Sequence, residues 1–177
     1  MAPADGTVRA PVMLFLRMHP PWVFIDEIRR FVESFCRCAC PHTDRESHLA
    51  LAVHELIQNA VTNGGRDEPV ELSLQVDAAA DRIVVRVTNT CSESKAALLA
   101  ERVQRLNAEP DALSAYVAAM KDSRHAPRGG LGLARVRYEA QLELKVYRED
   151  GRVTVQASGA LTEAEKIRPG GPNAESR

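Results

Sequence analysis

His54-Glu55-Leu56-Ile57-Gln58-Asn59-Ala60 lies inside an apolar-periodic run from Arg45 to Asn63, and its reading decides the fold. Leu49, Leu51, Ala52, Val53, Leu56, Ile57, Ala60 and Val61 form a broad apolar face at helical spacing. Asp44 is placed to cap the helix start, and Asn63-Gly64-Gly65 is expected to end it through a left-handed cap. Glu55 and Asn59 are four apart, so they lie one above the other at an edge of that face. A carboxylate and a carboxamide presented to one small volume suit the handling of a metal and a proton.

On either side of this helix the pattern changes. Pro11 to Met18 is short and apolar, as in a strand or extended arm, and Trp22, Ile25, Ile28, Phe31, Val32 and Phe35 then fall near helical spacing. After the glycines the period becomes two. Val70 to Val76 and Arg82 to Asn89 read as an antiparallel hairpin turned over Asp77 to Asp81.

Ser92 to Lys121 reads as an insertion of two helices, Lys95 to Asn107 and Asp111 to Met120, split at Glu109-Pro110. Gly129-Gly130-Leu131-Gly132-Leu133 then opens a helix running to about Ala140. Glycines ahead of a helix let backbone amides approach a phosphate, and the helix dipole adds to the attraction. Leu142 to Tyr147 and Val153 to Ala157 make a last hairpin turned at Glu149-Asp150-Gly151.

With 177 residues, the chain has room for one domain with a substantial core. Residues 1–10 are expected to be a flexible N-terminus, 11–159 the domain, with 90–128 as its helical lid, and 160–177 a flexible tail. The net charge is -1, with 23 basic and 24 acidic residues and no long block of either sign, which argues against nucleic acid as a partner. There is no apolar run of membrane-spanning length and no secretory pattern, so a cytoplasmic protein is expected.

Cys36, Cys38 and Cys40 alternate with a spacing that fits no ordinary disulfide framework, and no second cysteine pair accompanies them as in structural zinc sites. Small, partly buried thiols at a helix end are the plainer expectation. His48 and His54 read as helix-packing residues, because His54-Glu55 is not followed by the second histidine of a zinc hydrolase motif.

A Glu and an Asn on one helix, or a glycine-rich turn, is by itself most often unremarkable; their order is more specific. Glu55-Leu56-Ile57-Gln58-Asn59-Ala60 resembles the N box of the GHKL ATP-binding family, and Gly129-Gly130-Leu131-Gly132-Leu133 resembles its second glycine box. The resemblance covers about Arg45 to Ala157, with Trp22 to Phe35 fitting the preceding helix. It implies an α+β fold, a two-layer sandwich with a mostly antiparallel sheet packed on helices and a helical lid insertion. Within the family the chain looks most like the anti-sigma-factor serine/threonine kinases, and its inserted helices look like the SiaB-type branch.

The resemblance further implies ATP and Mg2+ as cofactors. Asn59 would hold magnesium, Glu55 would act as the general base on a partner's hydroxyl, and Gly130 and Gly132 would cradle phosphates. Asn63, Asn89, Arg128, Gly129, Leu131 and Leu133 complete the implied nucleotide site, with Arg124 or Arg128 as an electrostatic partner of the transferring group. The implied protein partner is a STAS-domain anti-sigma-factor antagonist, and pairing into a homodimer is compatible with this type.

One position departs from the family pattern. The second strand ends Val87-Thr88-Asn89-Thr90-Cys91, where the family places an Asp followed by x-Gly. Asn89 can accept from adenine through its amide oxygen, with a weaker bond than a carboxylate would make. Two readings follow: a protein kinase, or a non-catalytic module of the same fold that binds and sequesters a partner.

Overall fold

The computed structural model describes residues 10–19, 22–40, 45–65, 68–123 and 131–162. Among the described residues five strands and five helices follow in the order β1 (Val12–Met18), α1 (Val23–Ala39), α2 (Glu46–Asn63), β2 (Val70–Asp77), β3 (Arg82–Thr90), α3 (Glu93–Ala108), α4 (Ala112–Ser123), α5 (Leu131–Tyr138), β4 (Glu143–Glu149) and β5 (Arg152–Ala160). The strands form one sheet in the order β1-β2-β3-β5-β4, and every neighbouring pair is antiparallel. The expected α+β sandwich is therefore present, and its sheet is antiparallel throughout.

Alternation along the strands produces the two faces. Val70, Leu72, Leu74 and Val76 of β2 point into the core, while Glu71, Ser73, Gln75 and Asp77 between them stay partly exposed. The short Pro11–Met18 stretch becomes an edge strand because Leu14 and Leu16 pair opposite Leu74 and Leu72 and share their buried face. Its other side chains, Met13 and Phe15, remain exposed.

Helix α2 is the centre of the helical layer. It packs on β2 and β3 and is flanked by α1 and α5, which is why Leu49, Ala52, Val53, Leu56 and Ile57 are fully buried. The inserted helices are not set apart from the body. Ala96, Leu99, Val103 and Leu106 bury one face of α3, which packs beside β4, and α4 packs on α5 with Tyr116 stacked on Tyr138 at 5.1 Å.

Two details of α2 differ from the sequence expectation. The N-cap position falls to Arg45, and Asp44 lies outside the described residues. Arg45 is buried and spends its guanidinium on the carbonyls of Ala140 and Ala160, so it ties the helix start to the ends of α5 and β5. At the other end, Gly64 is extended (φ -71°, ψ 172°) rather than left-handed. Glycine is needed there for space: a Cβ would lie 2.7 Å from the Ala60 carbonyl and 3.2 Å from Asn89 Nδ2.

The cysteines follow the plainer expectation. Cys36 and Cys40 are buried, Cys38 is exposed, and none of the three forms a disulfide. Among the described residues no helix is long and apolar enough to cross a membrane.

Candidate functional site

Glu55, Asn59 and Asn63 recur every four residues along α2, so they form one stripe that extends ~12 Å at 1.5 Å per residue. The stripe is internally bonded at its C-terminal end. Asn63 Nδ2 donates to the Asn59 backbone carbonyl at 2.8 Å and to Asn59 Oδ1 at 3.1 Å, which holds the two carboxamides in contact.

At that end the stripe meets β3. Gly65 N donates to the Thr90 carbonyl at 3.1 Å, and Lys95 Nζ reaches the Asn63 carbonyl at 3.1 Å. Asn89 is buried beside Gly64, and its Nδ2 donates to the Thr90 carbonyl at 3.2 Å. With the nitrogen turned to the backbone, the oxygen is the atom left to accept from a ligand.

The other end of the stripe meets α5. Glu55 is buried, 8% exposed, and a Cβ placed on Gly132 would collide with its Oε2 and lie 3.2 Å from its Cδ. Gly132 is thus the residue that admits the carboxylate against the first turn of α5. Glu55 Oε1 accepts from Arg135 Nη1 at 2.6 Å. Arg135 in turn donates from Nε and Nη2 to the two carboxylate oxygens of Glu139, at 2.8 and 3.4 Å. The hydrogen bond to Glu139, then the charges of Glu55 and Glu139, raise the Arg135 pKa above its ordinary value, so the guanidinium is a permanent cation.

The residues expected from the sequence therefore divide. Glu55, Asn59, Asn63, Asn89 and Gly132 are brought along one line from the start of α5 to the end of β3. Leu131 is partly exposed in the first turn of α5, whereas Leu133 is buried in the core. Arg124, Arg128, Gly129 and Gly130 lie outside the described residues. Arg135, Glu139 and Lys95 were not anticipated. The only local trace of the first two is an i,i+4 Arg-Glu pair, which is common on solvated helices.

A cavity of about 630 Å³ opens elsewhere, at the start of α2 and the end of α5, lined by His48, Asp111, Arg137, Tyr138 and Glu143 among others. None of the residues expected from the sequence lines it, whereas Glu139, the partner of Arg135, does.

The family model of the histidine kinase-like ATPase domain matches residues 24–158, more than half of the chain. The chain belongs to this family. The matched span contains α1 from its second residue, α2, the whole stripe, both inserted helices and α5. No curated protein matches the sequence. Among solved structures, a chain of the SiaB-SiaC complex from Pseudomonas aeruginosa has the same fold, with a TM-score of 0.62 over 82% of this chain and 88% of that one, at 18% identity.

The donor set of this histidine kinase-like ATPase domain suits a magnesium nucleotide. Among the described residues no group of three or more His, Cys, Asp and Glu could hold a metal ion by itself. A hard cation here would take one oxygen from Asn59 and its remaining ligands from phosphates and water. The Asn89 oxygen, next to the glycine that ends α2, is an acceptor suited to an exocyclic amine.

Proposed function

We propose that this protein is an ATP-dependent serine/threonine kinase that phosphorylates a STAS-domain anti-sigma-factor antagonist in a bacterial partner-switching system, in the cytoplasm. The observation that carries the reading is the alignment of Glu55 and Asn59 on one helix stripe, with the carboxylate against Gly132. Family membership supports use of ATP. The shared fold with a chain from a two-protein assembly, the SiaB-SiaC complex, supports a protein partner.

Magnesium ATP supplies the phosphoryl group and the charge neutralisation that its transfer needs. The chain supplies position. Asn59 holds the metal through its carboxamide oxygen, and Asn63 fixes that carboxamide through its own Nδ2. Asn89 would accept from the adenine amine, and Gly132, in the first turn of α5, would leave room beside Glu55 for the phosphates; the resemblance adds Gly129, Gly130, Leu131 and Leu133 to the nucleotide site. Arg128 lies next to Gly129 in sequence and stabilises the transferring charge. Glu55 would accept the proton of the partner's hydroxyl as that oxygen bonds to the γ-phosphorus, whose bond to the bridging oxygen breaks so that ADP leaves.

Labelled ATP with magnesium and the STAS-domain protein that co-purifies with this chain should give labelled partner. Glu55→Ala should reduce the rate by about 100-fold or more, since a positioned general base contributes roughly 10²–10⁴. Transfer at an undiminished rate in Glu55→Ala would remove Glu55 from the role of base.

Asn89 favours a second reading, a non-catalytic module that sequesters its partner, because the amide forms a weaker bond to adenine than a carboxylate does. Calorimetry separates the two. Heat from ATP with magnesium is expected for the kinase, and silence at millimolar nucleotide with partner binding intact is expected for the module.

A further inference from the structure

Glu55 presents a problem of charge. A carboxylate set against the first turn of α5 lies where the reading above places the phosphates of ATP, and two anions at one spot repel. The structure contains an answer eighty residues downstream. Arg135 lies one turn after Gly132 on the same helix, and its Nη1 donates to Glu55 Oε1 at 2.6 Å. The guanidinium is anchored from behind by both oxygens of Glu139, which leaves one N–H edge directed at Glu55.

The two oxygens of Glu55 consequently have different surroundings. Oε1 is occupied by Arg135, while Oε2 faces the position a Cβ of Gly132 would fill. Only Oε2 is turned toward Gly132. Burial of the Glu55 side chain, 9% exposed against 34% for Arg135, makes the pairing a fixed arrangement rather than a screened surface contact.

We propose that Arg135, braced by Glu139, is the positioning residue of this site: it cancels the charge of Glu55 toward a polyphosphate and turns Oε2 to the reacting side. This rests on the reading of the stripe and glycine turn as a nucleotide site. In a triad of two carboxylates and one guanidinium, Glu139 supplies the anchor and Glu55 keeps one free oxygen. Without Arg135, Glu55 would present an uncompensated buried anion to incoming phosphates.

The test is calorimetric titration of the full chain with ATP, ADP and adenosine in magnesium buffer. Glu55→Gln, which removes one of the two negative charges of the triad and leaves Arg135 paired with Glu139 alone, should tighten ATP by about three- to tenfold. Arg135→Gln should weaken ATP by about tenfold, ADP by less, and adenosine not at all. The double variant should return ATP affinity to within about twofold of the wild type, because the charges are removed as a pair.

A merely structural role would shift all three ligands together, and that outcome overturns the proposal. If Arg135→Gln fails to fold, Glu55→Gln alone decides the sign: ATP bound no more tightly than by the wild type refutes charge compensation. A wild-type chain silent to ATP at millimolar concentration overturns the nucleotide reading itself and the proposal with it.

Discussion

At the scale of single residues, the site is a set of close approaches that leave little room for change. Gly132→Ala would drive a methyl into the Glu55 carboxylate, which Arg135 prevents from stepping aside. Overpacking of this kind costs ~1–3 kcal/mol, and a lowered urea midpoint is the expected result. Asn89→Asp would restore the family's acid, yet it would replace the Nδ2 that donates to the Thr90 carbonyl with a second acceptor. Loss of that part-buried bond should cost ~1 kcal/mol in thermal or denaturant unfolding, whatever the acid does for adenine. Glu55 and Asn59 could be read from the sequence because a spacing of four on a helix fixes their adjacency. Arg135 could not, since nothing local says that a guanidinium eighty residues away arrives at Glu55.

Among the elements, α2 is held at its start by an arginine where an acidic cap was expected. Arg45→Met keeps the apolar stem and removes the donors to Ala140 and Ala160, so two carbonyls from separate elements lose their partner. Hydrogen bonds from a charged group are worth ~1.5–3 kcal/mol each, and a destabilisation of about that size should appear in urea unfolding.

On α1, burial separates thiols that the sequence merely alternates. Burial, then the nearby Cys40 and Glu46, push the Cys36 thiol up to about 12, which leaves it protonated and unreactive at pH 8. Titration of the native chain with a thiol-specific disulfide reagent at that pH should label exposed Cys38 first. Cys36 should react only after denaturation. Rapid labelling of Cys36 in the native chain would contradict its placement in the core. The element boundaries came largely from periodicity. The reason for Gly64 did not, because a 3.2 Å approach to Asn89 depends on where β3 lies.

For the whole molecule, the end of the sheet is fastened by Asp81 in the β2–β3 turn. Its carboxylate accepts from Thr162 N at 2.9 Å and from Thr162 Oγ1 at 2.8 Å, across 81 residues of sequence. The side-chain bond from Thr162, then its backbone bond, hold the Asp81 pKa below the ordinary 3.8. A carboxyl lowered in the folded state contributes its stability above the unfolded value and loses it as pH falls through the folded one. The gap in urea midpoint between wild type and Thr162→Val should therefore be constant above about pH 5 and shrink below 3.8. A gap that persists undiminished at pH 2 would show that the clasp does not depend on the carboxylate.

By itself the sequence determined the helices and strands, the hairpins and the adjacency of Glu55 and Asn59, because these follow from side-chain periodicity and backbone preference within a few residues; the α+β class came from the family resemblance of its two motifs. Tertiary structure alone decided that β1 closes the sheet edge, that β5 enters between β3 and β4, that Arg45 clamps two distant carbonyls, and that Arg135 meets Glu55. Those contacts join residues far apart in the chain. They are set by how apolar faces bury against one another, so the charges they bring together are identified only once the packing is known.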